Sequence, residues 1–510
     1  LSHPASLVIL GIDAGDPGLI EQWGADGSLP TIASLMERGS WGRTSGAELI
    51  SEHGVWVSAY SGVSRIEHGY YYFRQLEPGT YDLRPVTGPE LDAPPFWSLA
   101  GDRRVAIVDV PDAPLVDGLD GTQVLNWGSH TNWDPVRYRP ASEPPDVLAD
   151  VQQRFGEKLS APEQHQSVPA EDREIYQRVL AHVRTKGAMC RHLLTGTSFD
   201  LVFAVFGETH GASHQFWQYA PWVADGSAPA APDLTDAIKG VYTAVDRELG
   251  ELLELFPAPT NVVVVSQCGM RDSYPTVGLT ESFCRELGYQ AAPDRPDGRS
   301  FRPADVARTI LPERLRVALS SRMLSREARE GILAEQFRRA TDWERTTAFA
   351  IPSSYTGMIR VNLRGREPQG IVEPGRAYEE LLDSLENDLR QLVDPDTGES
   401  VVLDVLRTTT VFGCEAPMAL PDVFVDWLPG RYLECVRHPR AEIVQRRPDF
   451  FRRSDHSREG FVAAAGPSIR ALGGPAEVDV LDLAPTFLAL LGITPPDRLK
   501  GRVLTQLLAP

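Results

Sequence analysis

His210 and His214 stand four residues apart, directly after the apolar run Leu201-Val202-Phe203-Ala204-Val205-Phe206. If the segment after that run is helical, residues i and i+4 share one face and both imidazoles point the same way. Neutral imidazole is a common ligand for zinc, copper, iron and nickel, so the pair makes half a metal site. The competing reading is a pair of ordinary polar side chains at a helix start. Other reactive residue types fall at comparable places. Asp13 ends the apolar run 6–13 (SLVILGID). Ser266-Gln267-Cys268 follows the run 261–265 (NVVVV). A turn at 51–54 carries Ser51, Glu52 and His53.

The surrounding pattern says how these residues are positioned. Strands are expected at 6–13, 104–110, 201–206 and 261–265, with helical periodicity at 31–37, 171–194 and 234–255. Strands alternating with helices predict an α/β fold, a mostly parallel central sheet with helices on both faces. Sites in such sheets form at the carboxyl ends of the strands. Asp13, the 51–54 turn, the histidine pair and Gln267/Cys268 all fall at such ends, so they can converge. Residues 111–170, rich in Pro, Asp and Gly, read as long surface loops. Residues 271–345 are charged, with helix expected over 303–333, and strands at 355–363 and 401–406 suggest a small subregion. Segments 422–427 and 460–465 read as returning core strands, and 478–491 as a closing helix. The expected organisation is a core of 1–270 and 405–510, with 271–404 as an inserted helical lid and subdomain.

Composition narrows the function classes. The chain has 510 residues, 42% of them hydrophobic, enough for a large core or two domains. A formal charge of −20 argues against general nucleic-acid binding, which needs a basic surface. A small anionic substrate in a local basic pocket stays compatible with it. Cys190, Cys268, Cys284, Cys414 and Cys435 are scattered and odd in number, so a disulfide framework is not expected and a reducing cytoplasm is the default. No apolar run reaches membrane-spanning length, and no partner or oligomeric state is legible.

The order of motifs resembles the alkaline phosphatase superfamily, in its type I phosphodiesterase/nucleotide pyrophosphatase branch. The resemblance is carried by Gly11-Ile12-Asp13, Ser61-Gly62 with His68-Gly69, the strand before His214, Ser266-x-x-Gly269-Met270, and Asp455-His456. The segment running from Val361 to Gly370, Gly466-Pro467 and the stretch from Asp482 to Thr486 extend it over nearly the whole chain. The resemblance implies two metals at the strand ends with a Thr or Ser nucleophile between them. Asp13 corresponds to the first metal aspartate, His214 to a metal histidine and His456 to the late metal histidine.

The chain departs from that pattern at four places. His210 replaces an aspartate, Gln267 and Cys268 replace an Asp-His pair, and Glu52 stands at the nucleophile position. One implied site thereby becomes His210, His214 and His456, a set for one divalent transition metal, zinc first and iron or copper as alternatives. A second metal is not expected, because glutamine ligates transition metals poorly and Cys268 would have to be deprotonated. Glu52 reads as a fourth ligand or as an acid/base, Asp13 as a second acid/base or substrate anchor. Ser51, His53, Gln267, Cys268 and Asp455 are secondary candidates, the last for orienting His456. Ser51 or Ser58 is the nucleophile if the register differs.

Three functions follow from these readings. The first is a metalloenzyme with a rebuilt mononuclear site acting on a small molecule. The second is a metal-dependent phosphodiesterase or phosphatase. The third is a non-catalytic ligand-binding descendant, which three aligned histidines disfavour.

Overall fold

A computed structural model describes residues 6–51, 53–129, 137–159, 168–223, 231–256, 259–293, 324–428, 431–446 and 452–509. The chain divides into two compact units: 1–70 with 87–272 and 452–510, and 71–86 with 273–451.

The first unit is built on a nine-stranded sheet. Its centre is parallel: Thr260–Ser266, Ser6–Ile12, Leu201–Phe206, Val105–Val108 and Gly121–Leu125 lie side by side in that order. These strands are rich in Val, Ile, Leu and Phe without polar alternation, as burial on both faces requires. Gly460–Ala465, Ser40–Ser45 and Gly473–Asp479 extend one side, and Ala141–Glu143 closes the other. The helices Pro169–Leu194, Ala237–Leu253 and Glu208–Phe216 pack on one another. In Ala237–Leu253 the buried positions Val241, Val245, Leu249 and Leu252 recur at helical spacing.

Register sets the site. Ile12 pairs with Phe206 and Gly11 with Val265, so the chain leaves three adjacent strands at one level. Asp13, the 207–210 segment and 266–268 emerge there together. The alkaline phosphatase-like α/β architecture read from the sequence is the observed one.

Two expectations change. Residues 111–170 contain the strands Gly121–Leu125 and Ala141–Glu143 and the helix Pro145–Phe155, besides loop. The short strands escape a periodicity reading because a polar residue, Gln123, is buried in the first of them, where its amide bonds both backbone groups of Val116. Segment 422–427 does not return to the core. Val423–Trp427 pairs with Gly357–Val361 and Val402–Arg407, so the expected core boundary at 405 falls inside the second unit.

That unit carries a four-stranded antiparallel sheet in the order Ala348–Ile351, Gly357–Val361, Val423–Trp427, Val402–Arg407. The helix Arg376–Arg390 covers its apolar core with Tyr378, Leu382, Leu385 and Leu389. Asp422 accepts from Arg366, from the Tyr378 hydroxyl and from Val361 N–H, while Glu367 accepts from Arg360 and Arg366. Burial opposes the Asp422 charge, but the Arg366 and Arg360 guanidinium groups outweigh it and hold the carboxyl below its usual range. The 361–370 motif therefore has a structural account within this unit. Arg74 pairs with Glu330 here through two hydrogen bonds.

The helix Arg326–Arg339 lies within the expected helical segment 303–333 and beyond it, and residues 303–323 lie outside the described ones. The closing helix is Leu483–Leu490, preceded by the strand Gly473–Asp479. No helix among the described residues is long and apolar enough to cross a membrane. All five cysteines are free thiols.

Candidate metal centre

The helix Glu208–Phe216 starts two residues after the Leu201–Phe206 strand and places His210 and His214 on one face. Their ring centroids are 4.8 Å apart. The third ring comes from the other end of the sequence. His456 lies on the strand Ser454–Ser457, which pairs with Gly269–Asp272, the continuation of the chain beyond Gln267 and Cys268. Its ring lies 4.8 Å from His210 and 5.2 Å from His214. One nitrogen from each of the three falls within 4.8 Å of the others, a spacing that one cation can bridge.

Each ring is anchored through the same atom. His210 Nδ1 lies 2.9 Å from Asp13 Oδ2, His214 Nδ1 3.1 Å from Ser454 Oγ, and His456 Nδ1 3.2 Å from Asp455 Oδ1. A metal-ligating histidine commonly uses its second nitrogen in this way, which fixes ring orientation and tautomer. Nε2 would then be the atom each ring offers to a cation. A set of three neutral imidazoles with anchored rings fits zinc or a similar transition metal.

Asp13 is fully buried and does more than face His210. Its Oδ1 accepts from Trp56 Nε1 at 2.8 Å and from Gln267 Nε2 at 2.7 Å. Its backbone carbonyl accepts from the Thr209 hydroxyl at 2.7 Å, tying the strand end to the ligand helix. Asp13 Oδ2 thus faces His210 Nδ1; the sequence reading gives this residue an acid/base or substrate-anchoring part. Cys268 is buried next to Gln267, and its carbonyl accepts from Ser266 Oγ. Ser266 Oγ also accepts from Gly15 N–H at 2.8 Å.

The 47–70 segment explains the other candidates. Glu52 lies outside the described residues. Ser51 is buried, and its carbonyl accepts from Arg65, which also binds the carbonyl of Glu48. His53 lies edge-on to Tyr70, with ring centroids 6.2 Å apart. Ser58, a possible nucleophile by sequence, is wholly buried in a chain of hydrogen bonds. Tyr70 N–H donates to His68 Nδ1, so the neutral ring carries its proton on Nε2 and donates it to Ser58 Oγ. Ser58 in turn donates to Glu48 Oε2. The hydroxyl proton goes to a carboxylate and the histidine is a donor, the reverse of an activated serine. Burial first, then the Arg65 charge, pushes the His68 pKa down to about 3.

Sequence reasoning missed Trp56, Ser454 and Arg65. Ser454 sits two residues before His456 on one strand, the spacing that shares a face, and this was the available signal. Trp56 gives no such signal, because only the tertiary fold brings its indole to Asp13.

The sequence profile described as type I phosphodiesterase/nucleotide pyrophosphatase matches residues 7–408. The chain belongs to this family. The family's description names cleavage of phosphodiester and pyrophosphate bonds, and membership supports a phosphoryl hydrolase. No curated protein matches the chain significantly. Among solved structures, it is similar to phosphonoacetate hydrolase from Sinorhizobium meliloti 1021 in complex with phosphonoformate, at 14% identity over 96% of this chain and 95% of that one, with a TM-score of 0.51. Murine ectonucleotide pyrophosphatase/phosphodiesterase 5 is 13% identical over 99% of this chain and 100% of its own, with a TM-score of 0.47. The likeness to the bacterial enzyme supports the fold.

Proposed function

We propose that the protein is a metal-dependent phosphoryl hydrolase whose centre is mononuclear, with one divalent transition metal, zinc first, held by His210, His214 and His456. The observation that carries this reading is the common anchoring of the three rings: each Nδ1 meets an oxygen of Asp13, Ser454 or Asp455. The bound cation supplies a Lewis acid that polarises a phosphoryl oxygen and offsets developing negative charge. Family membership supports cleavage at phosphorus, and a small phosphoester or phosphoanhydride is the proposed substrate class.

Glu52 enters from the sequence alone, as the residue at the position where the family resemblance implies a hydroxyl nucleophile. A carboxylate there suits proton transfer to or from the reacting group. Ser58 does not take the nucleophile's part in this reading, since its proton is committed to Glu48.

The experiment is turnover of bis(p-nitrophenyl) phosphate, p-nitrophenyl phosphate and p-nitrophenyl thymidine monophosphate by zinc-loaded and chelator-treated protein. The expected result is hydrolysis of at least one ester that falls at least about 100-fold on chelation and returns with zinc, as loss of a main charge-stabilising group requires. Glu52→Gln lowers kcat by about 100-fold while zinc stays bound. Turnover that survives complete metal removal contradicts the reading.

A further inference from the structure

We propose that Asp13 is a positioning residue of the metal centre and not a ligand, and that Gln267 and Trp56 hold it in that part. This rests on the reading of the three histidines as the ligand set. An ionised carboxylate as deeply buried as Asp13 needs hydrogen-bond donors or a cation beside it. The fold gives it donors. Trp56 Nε1–H and Gln267 Nε2–H both reach Oδ1, at 2.8 and 2.7 Å.

Neither donor is free to turn away. An indole N–H can only donate. The Gln267 amide is oriented by its other end, where Ala14 N–H donates to Oε1 at 3.3 Å, so its NH2 faces Asp13. Two N–H groups therefore stand at the carboxylate oxygen that a second cation would have to bind. Asp13 and Gln267 consequently do not fit a second metal.

With Oδ1 occupied in this way, Oδ2 is left facing His210 Nδ1 at 2.9 Å. It accepts that N–H and fixes the tautomer whose Nε2 lone pair is offered to the metal. The affinity of the centre thus depends on Gln267 and Trp56, two side chains that do not touch the metal.

The test is zinc titration of the full chain by competition with a chromophoric chelator, beside cobalt absorption spectra and thermal melting of the metal-free protein. Wild type is compared with Asp13→Asn, Gln267→Met and Trp56→Phe, the last keeping the ring and removing one N–H. Wild type takes up one equivalent of zinc. Asp13→Asn and Gln267→Met weaken the dissociation constant about 10- to 100-fold and shift the cobalt bands, and Trp56→Phe does so to a smaller extent, while the metal-free melting temperature of Trp56→Phe stays at the wild-type value. Unchanged affinity and cobalt spectra in all three overturn the inference, as does a second zinc equivalent in wild type that Asp13→Asn abolishes. Absence of zinc from wild type overturns the three-histidine reading itself, a result distinct from both.

Discussion

At the residue scale the first unit holds a set of anchored imidazoles and a separate buried hydrogen-bond chain. His68, Ser58 and Glu48 superficially contain the residue types of a hydrolytic triad, yet the donor at Tyr70 N–H sets the histidine tautomer and so the direction of the whole chain. The chain's consequence is for stability. In the unfolded protein His68 takes up a proton near 6.5, whereas burial and the Arg65 charge hold it near 3 in the fold. Between those values the unfolded state binds more protons, so this group's contribution to stability declines as pH falls from about 6.5 toward 3. Denaturant midpoints measured across that range should fall for wild type, and the fall should be smaller for His68→Gln. A variant with the wild-type slope would contradict the lowered pKa of His68.

Much of the centre was legible at this scale. His210, His214 and His456 were readable from type, spacing and family pattern, and Gln267 and Cys268 stood out as departures from that pattern. Trp56 and Ser454 were not readable in the same way. A hydrogen bond between residues 43 positions apart, as between Trp56 and Asp13, leaves no trace in a single sequence.

At the element scale the fold's contribution is register. Because Ile12 pairs with Phe206 and Gly11 with Val265, three strand ends deliver Asp13, His210 and Gln267 at one level, and the helix after Phe206 does the rest. Gly11 is the position where a side chain cannot be accommodated. A Cβ there would lie 2.6 Å from Val205 Cγ2 and 3.0 Å from Trp56 Cη2. The bare backbone therefore lets the indole lie against the strand and reach Asp13. Gly11→Ala should destabilise the protein by about 2 kcal/mol, the usual cost of overpacking a filled core. It should also weaken zinc binding by displacing Trp56. Denaturation and zinc titration of the same variant measure both effects, and wild-type values in each would show that the contact is slack.

The long strands and helices of this unit were legible because apolar runs and 3.6-residue spacing are local properties. The short strands Gly121–Leu125 and Ala141–Glu143 were not, since three to five residues carry too little apolar pattern to stand out from loop. Val423–Trp427 misled for a different reason: an apolar strand does not declare which of two sheets it joins.

At the scale of the whole molecule, a formal charge of −20 and only four lysines coexist with buried charge pairs that are local and satisfied. Lys186, fully buried, lies 3.0 Å from Asp109 at the carboxyl end of the Val105–Val108 strand, and Asp109 also accepts from Trp127 and Gly128 N–H. The second unit closes over the Arg366–Asp422 pair in the same manner. The family profile supports a phosphoryl hydrolase, and the replaced residues carry the proposed departure from a two-metal site.

The most direct test of that departure is metal content per chain. Inductively coupled plasma mass spectrometry of protein purified without chelator or histidine tag, wild type beside His214→Ala, gives the number. The mononuclear centre predicts one equivalent of a transition metal in wild type and none in the variant. Two equivalents in wild type, or none after reconstitution, would contradict it.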